Sequence, residues 1–247
     1  MKNYKFVIQY EGTRYQGWQR QITTQQTIQG KLEAVLSRMT DRKVELAGSG
    51  RTDSGVHALG QVASAHLETS LSTDEIMSYV NQYLPEDIAV IAVEEVDDRF
   101  HARLKAKEKT YLYRVLCSDV PHIFDRRYVY VHPARLDLNA MRRAAELLIG
   151  THDFKGFSSK KKMKKSSVRT IYEIRIDQVG DEVRFRYRGD GFLYHMVRIM
   201  TGTLLEIGRG ERRPETISEI LKSGDREKAG ELVPGKGLTL VEVMYEE

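Results

Sequence analysis

The chain has 247 residues, 40% apolar and 30% charged, with 39 Lys and Arg against 35 Asp and Glu for a net charge of +4. That length is roughly 1.6 domains at about 150 residues each, so one large unit or two lobes both fit. With a mean hydropathy of −0.48, the composition argues against a membrane protein and a wholly disordered chain.

The longest apolar run, Ile88 to Val93, is far shorter than the about 18 residues a spanning helix requires. Met1-Lys2-Asn3-Tyr4-Lys5 leads straight into alternating sequence without an apolar h-region, so no signal peptide and a cytoplasmic location are expected. Residues 4–10 alternate, with Tyr4, Phe6, Ile8 and Tyr10 on one face, the period of a strand with unequal sides. Thr27 is placed to cap a helix carrying Ile28, Leu32, Val35, Leu36 and Met39 on one stripe. Strands are expected near 43–48 and 59–67. Ser72 or Thr73 then caps a second helix with Ile76, Val80, Tyr83 and Leu84 inward, Pro85 ends it, and Ile88 to Val96 reads as a strand.

The same order recurs after a charged stretch around Arg103 to Lys109, without a residue-by-residue repeat. A strand from Thr110 to Leu116 precedes a helix from Leu138 to Ile149, which Gly150 is placed to end with a left-handed cap. Strands follow at 169–179 and 182–189, then a helix from Phe192 to Ile207, a short helix near Pro214 and a last strand from Leu238 to Tyr245. The expected class is α+β: two pseudo-symmetric ferredoxin/RRM-like β-α-β-β-α-β halves, 1–105 and 106–247. Together they would form one extended, mainly antiparallel central sheet with helices on one face. The open face of such a sheet is a common RNA platform.

Charge is unevenly placed along the chain. Between Phe154 and Tyr172 stand Lys155, Lys160, Lys161, Lys162, Lys164, Lys165 and Arg169 with no acidic residue, which points to a polyanionic partner. In the strand that follows, Val183, Phe185 and Tyr187 share one face, leaving Arg184, Arg186 and Arg188 as a guanidinium stripe on the other. Solvated charge is the plain alternative for both features. A single cysteine, Cys117, can form no internal disulfide and reads as a small apolar side chain. His57, His66, His101, His132, His152 and His195 have no ligand spacing, so no metal is expected.

The least ordinary stretch is Gly48-Ser49-Gly50-Arg51-Thr52-Asp53-Ser54-Gly55-Val56-His57, a glycine-punctuated loop between strands. Glycines permit positive φ and close backbone approach. Arg51 beside Asp53 would keep that carboxylate ionised in a pocket that excluded water, and such a carboxylate is a nucleophile. As a plain turn, the loop would use Asp53 only to accept backbone N–H bonds. Asp53-Ser54-Gly55 also fits the aspartic-protease triplet, but that chemistry takes two carboxylates on a mostly β scaffold, and the chain has no second copy. A second notable stretch, Gly189 to Arg198, joins a strand to a helix across two glycines. Tyr111 and Tyr113 point to one face of their strand, as core residues or as a base-stacking surface.

Four blocks together resemble the tRNA pseudouridine synthase A family over essentially the whole chain: Tyr10-Glu11-Gly12 with Tyr15-Gln16-Gly17-Trp18-Gln19, Gly50 to Ala58, Phe100-His101-Ala102-Arg103 through Lys109 to Arg114, and Gly191-Phe192-Leu193 with Met196-Val197-Arg198. By that resemblance Asp53 is the essential aspartate, Tyr111 stacks on the target uracil, and Arg51 and Arg198 are basic residues beside the aspartate. The resemblance also implies a homodimer that grips tRNA across both subunits. It implies conversion of uridine to pseudouridine at positions 38, 39 and 40 of the anticodon stem-loop, without cofactor or metal. Arg184, Arg186, Arg188, Lys160, Lys161 and Lys162 are the expected phosphate contacts, and the Lys160 to Lys165 run lies outside the four blocks. A tRNA-binding or chaperone module without chemistry is the alternative that the basic faces alone would allow.

Overall fold

The computed structural model describes residues 1–120, 122–133, 135–160 and 165–246. In chain order the elements are β1 (Lys2–Tyr10), α1 (Ile28–Thr40), β2 (Ala47–Gly48), β3 (His57–Leu67), α2 (Thr73–Tyr83), β4 (Ile88–Val96) and β5 (Ala106–Leu116). Then come β6 (Tyr130–Val131), α3 (Leu138–Glu146), β7 (Gly150–Asp153), β8 (Val168–Val179), β9 (Glu182–Gly189), α4 (Met196–Gly208), α5 (Thr216–Ser223) and β10 (Leu238–Tyr245). The chain is mixed α/β with mostly antiparallel strand pairing, and it divides into two compact units, Met1–Lys107 with Thr239–Glu247, and Glu108–Leu238. Among the described residues no helix is long and apolar enough to cross a membrane.

In the first unit β1 lies between β4 and β3, antiparallel to both, and β2 pairs with β3. The period of two in β1 is real: Tyr4, Phe6, Ile8 and Tyr10 are all buried. Thr27 caps α1 by accepting the Gly30 N–H. Ser72 caps α2 in a reciprocal box with Glu75, which satisfies amides that a helix start otherwise leaves without partners. Two expectations fail here. The strand expected over 43–48 shrinks to Ala47–Gly48, because its backbone bonds are taken by side chains of α1. Val44 N donates to Ser37 Oγ (2.9 Å), Leu46 N donates to Glu33 Oε1 (2.9 Å), and Leu46 O accepts from Gln29 Nε2 (3.0 Å). Every buried backbone group needs a partner, and once a side chain supplies it no ladder forms. Tyr83 is exposed rather than inward, with the Arg38 guanidinium 4.4 Å from its ring centroid.

In the second unit the strand order is β5-β9-β8-β7, with β6 on the far edge of β5. The hairpin strands β8 and β9 form where expected, and Val183, Phe185 and Tyr187 are buried. Helix α3 stops at Glu146 rather than Ile149: Leu147, Leu148 and Ile149 donate to the carbonyls three residues back, tightening the end. Gly150 does hold a positive φ of 105°, but as the first residue of β7, paired with Ile171. Helix α4 begins at Met196, four positions later than the apolar pattern predicts, because His195 turns left-handed at φ 66°. The two-residue β6 and the four-residue β7 are too short for a periodicity signal.

Candidate active site

The Asp53 loop rests on a bed built from the Tyr10 to Trp18 segment. On one flank of Asp53, Thr52 O accepts from Trp18 N (3.0 Å), and Thr52 Oγ1 shares a hydrogen bond with the Tyr10 hydroxyl (2.8 Å). On the other flank, Ser54 Oγ donates to Tyr15 O (3.1 Å), and Val56 N closes a turn onto Asp53 O (3.2 Å). Gly12 N then donates to His57 Nδ1 (3.0 Å), so a neutral His57 ring carries its proton on Nε2. Gly12 and Gly17 are needed as glycines. A Cβ on Gly12 would sit 2.0 Å from Val56 O, and Gly17 holds φ 90° with Thr52 O beneath it. Asp53 itself is half-buried and Arg51 is exposed.

Beneath the loop lies a hub that the sequence reading missed. Gln61, fully buried in β3, accepts from Ser49 Oγ (2.7 Å) and donates to Gly50 O (3.1 Å) and to the Tyr10 oxygen (3.4 Å). The signal was present: alternation puts Gln61 on the same strand face as Ala63, Ala65 and Leu67, and an amide among apolar neighbours must find partners. Burial pushes the Tyr10 hydroxyl up to about 12, against the opposing pull of Thr52 and Gln61. Tyr15 is raised as well, by burial first and then by its bond to Asp87. Both phenols stay protonated at neutral pH, so Tyr10 meets the loop as a neutral group, while Tyr15 donates to the Asp87 carboxylate that also pairs with Arg14.

In the second unit Tyr111 is buried, its ring edge-on to Phe192 at 5.2 Å and 85°. Tyr113 is a core residue: its hydroxyl donates to Pro234 O (2.7 Å), and a Cβ on Gly237 would meet its ring at 2.7 Å. Arg198, in the first turn of α4, is half-buried and donates through Nε to Val233 O (2.8 Å). That bond anchors one edge of the guanidinium.

The family described as tRNA pseudouridine synthase matches residues 6–104 and 144–246. A tRNA pseudouridine synthase A of Bacillus sp. (strain KSM-64) is 50% identical over 230 residues, covering 93% of this chain and 94% of that protein. The chain belongs to the tRNA pseudouridine synthase family. A tRNA pseudouridine synthase A of Brevibacillus brevis and a tRNA pseudouridine synthase A 2 of Clostridium perfringens are each 44% identical over 245 residues, spanning 99% of this chain and all of theirs. The family resemblance read from the four sequence blocks is thereby borne out, and the synthase is an isomerase.

The basic residues of the synthase do not form one uniform stripe. Arg184, Arg186 and Arg188 do share a face of β9, but Arg184 Nε bonds Glu182 (3.0 Å), and Arg188 bonds Glu108 (2.7 Å) with its guanidinium 5.4 Å from the Tyr172 ring centroid. Arg186 is exposed and has no carboxylate partner among the described residues. Lys160 is described, its amide donating to Ser158 Oγ (3.3 Å), whereas Lys161 and Lys162 lie outside the described residues. His122, Asp125 and Glu182 bring one ligand atom each within 4.8 Å of one another. Arg114 already donates to both of those carboxylates. Burial alone would raise the Glu182 carboxyl, but the bonds from Arg114 and Arg184 outweigh it and hold the group below its ordinary value. The trio is a salt-bridge cluster neutralised by arginine, with no donor set left open for an ion.

Proposed function

We propose that this synthase converts uridine to pseudouridine at positions 38, 39 and 40 of the tRNA anticodon stem-loop, with Asp53 as the essential carboxylate. The observation that carries this reading is the Asp53 loop, bonded on both flanks and seated on neutral buried side chains. A catalytic group must be held to within fractions of an ångström, and such bracing does that. The isomerisation balances within the substrate. The N1–C1′ bond breaks, the uracil rotates, C5 joins C1′, and the proton leaving C5 is matched by the one gained at N1. Asp53 attacks C1′, adds to C6 of uracil, or takes the C2′ proton; an ionised carboxylate suits each of these steps.

Tyr111 stacks on the extruded uracil, which returns about 1–3 kcal/mol of the unstacking cost. Arg51 and Arg198 hold the charged carboxylate and the phosphate of the flipped nucleotide. The working form is a cytoplasmic homodimer, expected to sediment at twice the chain mass. The test is chemical labelling of pseudouridine in treated tRNA, since the isomerisation changes no mass. Label at 38, 39 and 40 is the expected result. Bound but unlabelled tRNA would instead fit a module that grips RNA without chemistry.

Lys160, Lys161, Lys162, Arg184, Arg186 and Arg188 bind phosphates under this proposal, but not equally. Among the described residues Arg186 has no carboxylate partner, whereas Arg184 and Arg188 are already paired. Replacing Arg186 with Gln is expected to weaken tRNA binding uniformly across sequences and to lower the slope of log affinity against log salt by about one. Arg184→Gln should change the slope less. A slope unchanged by Arg186→Gln in a titration over several salt concentrations would make that guanidinium a solvated bystander.

A further inference from the structure

Tyr194 and His195 form an aromatic shelf that none of the assigned roles uses. The rings stack with centroids 3.7 Å apart at 27°, and Tyr194 is 55% exposed, so one face of its ring is covered by histidine while the rest meets solvent. The backbone beneath them is unusual and firmly held. His195 has φ 66°, a left-handed conformation that strains a non-glycine residue. Ser159 Oγ bonds His195 Nδ1 (2.9 Å), and the Tyr194 carbonyl accepts from both Ser158 Oγ (3.3 Å) and Ser159 N (3.4 Å). Strain persists only where surrounding bonds overdetermine it, and it concentrates at functional positions.

An exposed tyrosine with one face backed by a second ring is the geometry that receives a nucleobase. Basic residues are close by in the chain: Lys160 directly follows the two serines that hold the Tyr194 carbonyl, and Arg169 Nε lies 3.5 Å from where a Cβ of Gly191, three residues before Tyr194, would be. Stacking with flanking cations is how single-stranded nucleic acid is held without sequence readout. Tyr111, the ring assigned to the target uracil, is buried against Phe192, whereas Tyr194 is exposed. We infer that Tyr194, backed by His195, stacks on an unpaired tRNA base other than the target uridine and so positions the loop for extrusion. This rests on the tRNA reading above and assigns one further residue to it.

The test uses the full-length protein with an anticodon stem-loop carrying 2-aminopurine at single positions next to the target. With wild type, one of those positions should show quenched fluorescence on binding, the mark of stacking. Tyr194→Ala should abolish that quench and weaken RNA affinity about 5- to 150-fold, the span expected for losing one base–ring stack. Its salt slope should be unchanged, because no phosphate contact is removed. Tyr194→Phe keeps the ring and should behave as wild type, which separates stacking from any folding defect. Because the stack positions the loop for extrusion, the single-turnover rate of Tyr194→Ala at saturating RNA should fall as well, and Tyr194→Phe should keep both rate and affinity. Wild-type affinity in Tyr194→Ala, or equal loss in Tyr194→Phe, would overturn the shelf. Absence of pseudouridine with wild-type enzyme would sink the catalytic reading instead, and the quench, read from binding alone, would still decide the shelf.

Discussion

Asp53→Asn is expected to remove pseudouridine formation while leaving tRNA affinity nearly intact. The substitution keeps the side chain's size and an acceptor oxygen, so the turn closed by Val56 N on Asp53 O and the flanking bonds of Thr52 and Ser54 have no reason to move. What disappears is the negative charge, and with it the capacity to attack carbon or to take a proton. Loss of a group with acid–base duties alone is worth about 10²- to 10⁴-fold in rate, and loss of a nucleophile is larger still. The measurement is single-turnover pseudouridine formation on saturating tRNA, beside an independent binding titration. Turnover falling with affinity held would place the role of Asp53 in the transition state. Label accumulating at the wild-type rate would remove Asp53 from the chemistry.

Gly12→Ala carries the second large effect, and it acts without touching a reacting atom. The added methyl would lie 2.0 Å from Val56 O and 2.7 Å from Val56 C, both backbone atoms with no rotamer to relieve the clash. The chain from Asp53 to His57 must shift, and the Gly12 N–H bond to His57 Nδ1 is lost or lengthened with it. Overpacking of this kind costs about 1–3 kcal/mol of stability, and a misplacement of roughly 1 Å at a catalytic group costs on the order of 10² in rate. Activity should therefore fall even at temperatures where the variant is folded, as judged by urea unfolding on the same preparation. Gly210→Ala is the control. Gly210 holds φ 76° with nothing within 4 Å of a Cβ, so the change strains the backbone without pushing on the loop. Its stability should drop by about 1–2 kcal/mol with turnover kept. Wild-type turnover in Gly12→Ala would show that the Tyr10 to Trp18 bed does not position Asp53.

How much of this was legible without a structure depended on how far apart the interacting residues lie in the chain. The alternation of Tyr4, Phe6, Ile8 and Tyr10, the caps at Thr27 and Ser72, and strands β4 and β10 were all readable, because periodicity and capping act among residues a few positions apart. The glycine-punctuated Asp53 loop and the family of the chain were readable for a similar reason: both sit in short contiguous blocks. The tertiary structure decided the rest. Val44 and Leu46 bond to Ser37 and Glu33 on α1 rather than to a strand. The last strand returns to the first unit, where Thr239 pairs in parallel with His57. Glu182 and Glu108 claim two of the three arginines of β9, and Gln61 ties Tyr10 to the Asp53 loop. Each outcome is a competition for hydrogen-bond partners or charge among groups brought together only by packing. A local pattern can say that a buried amide or guanidinium needs a partner; which one it obtains is set by the three-dimensional fold.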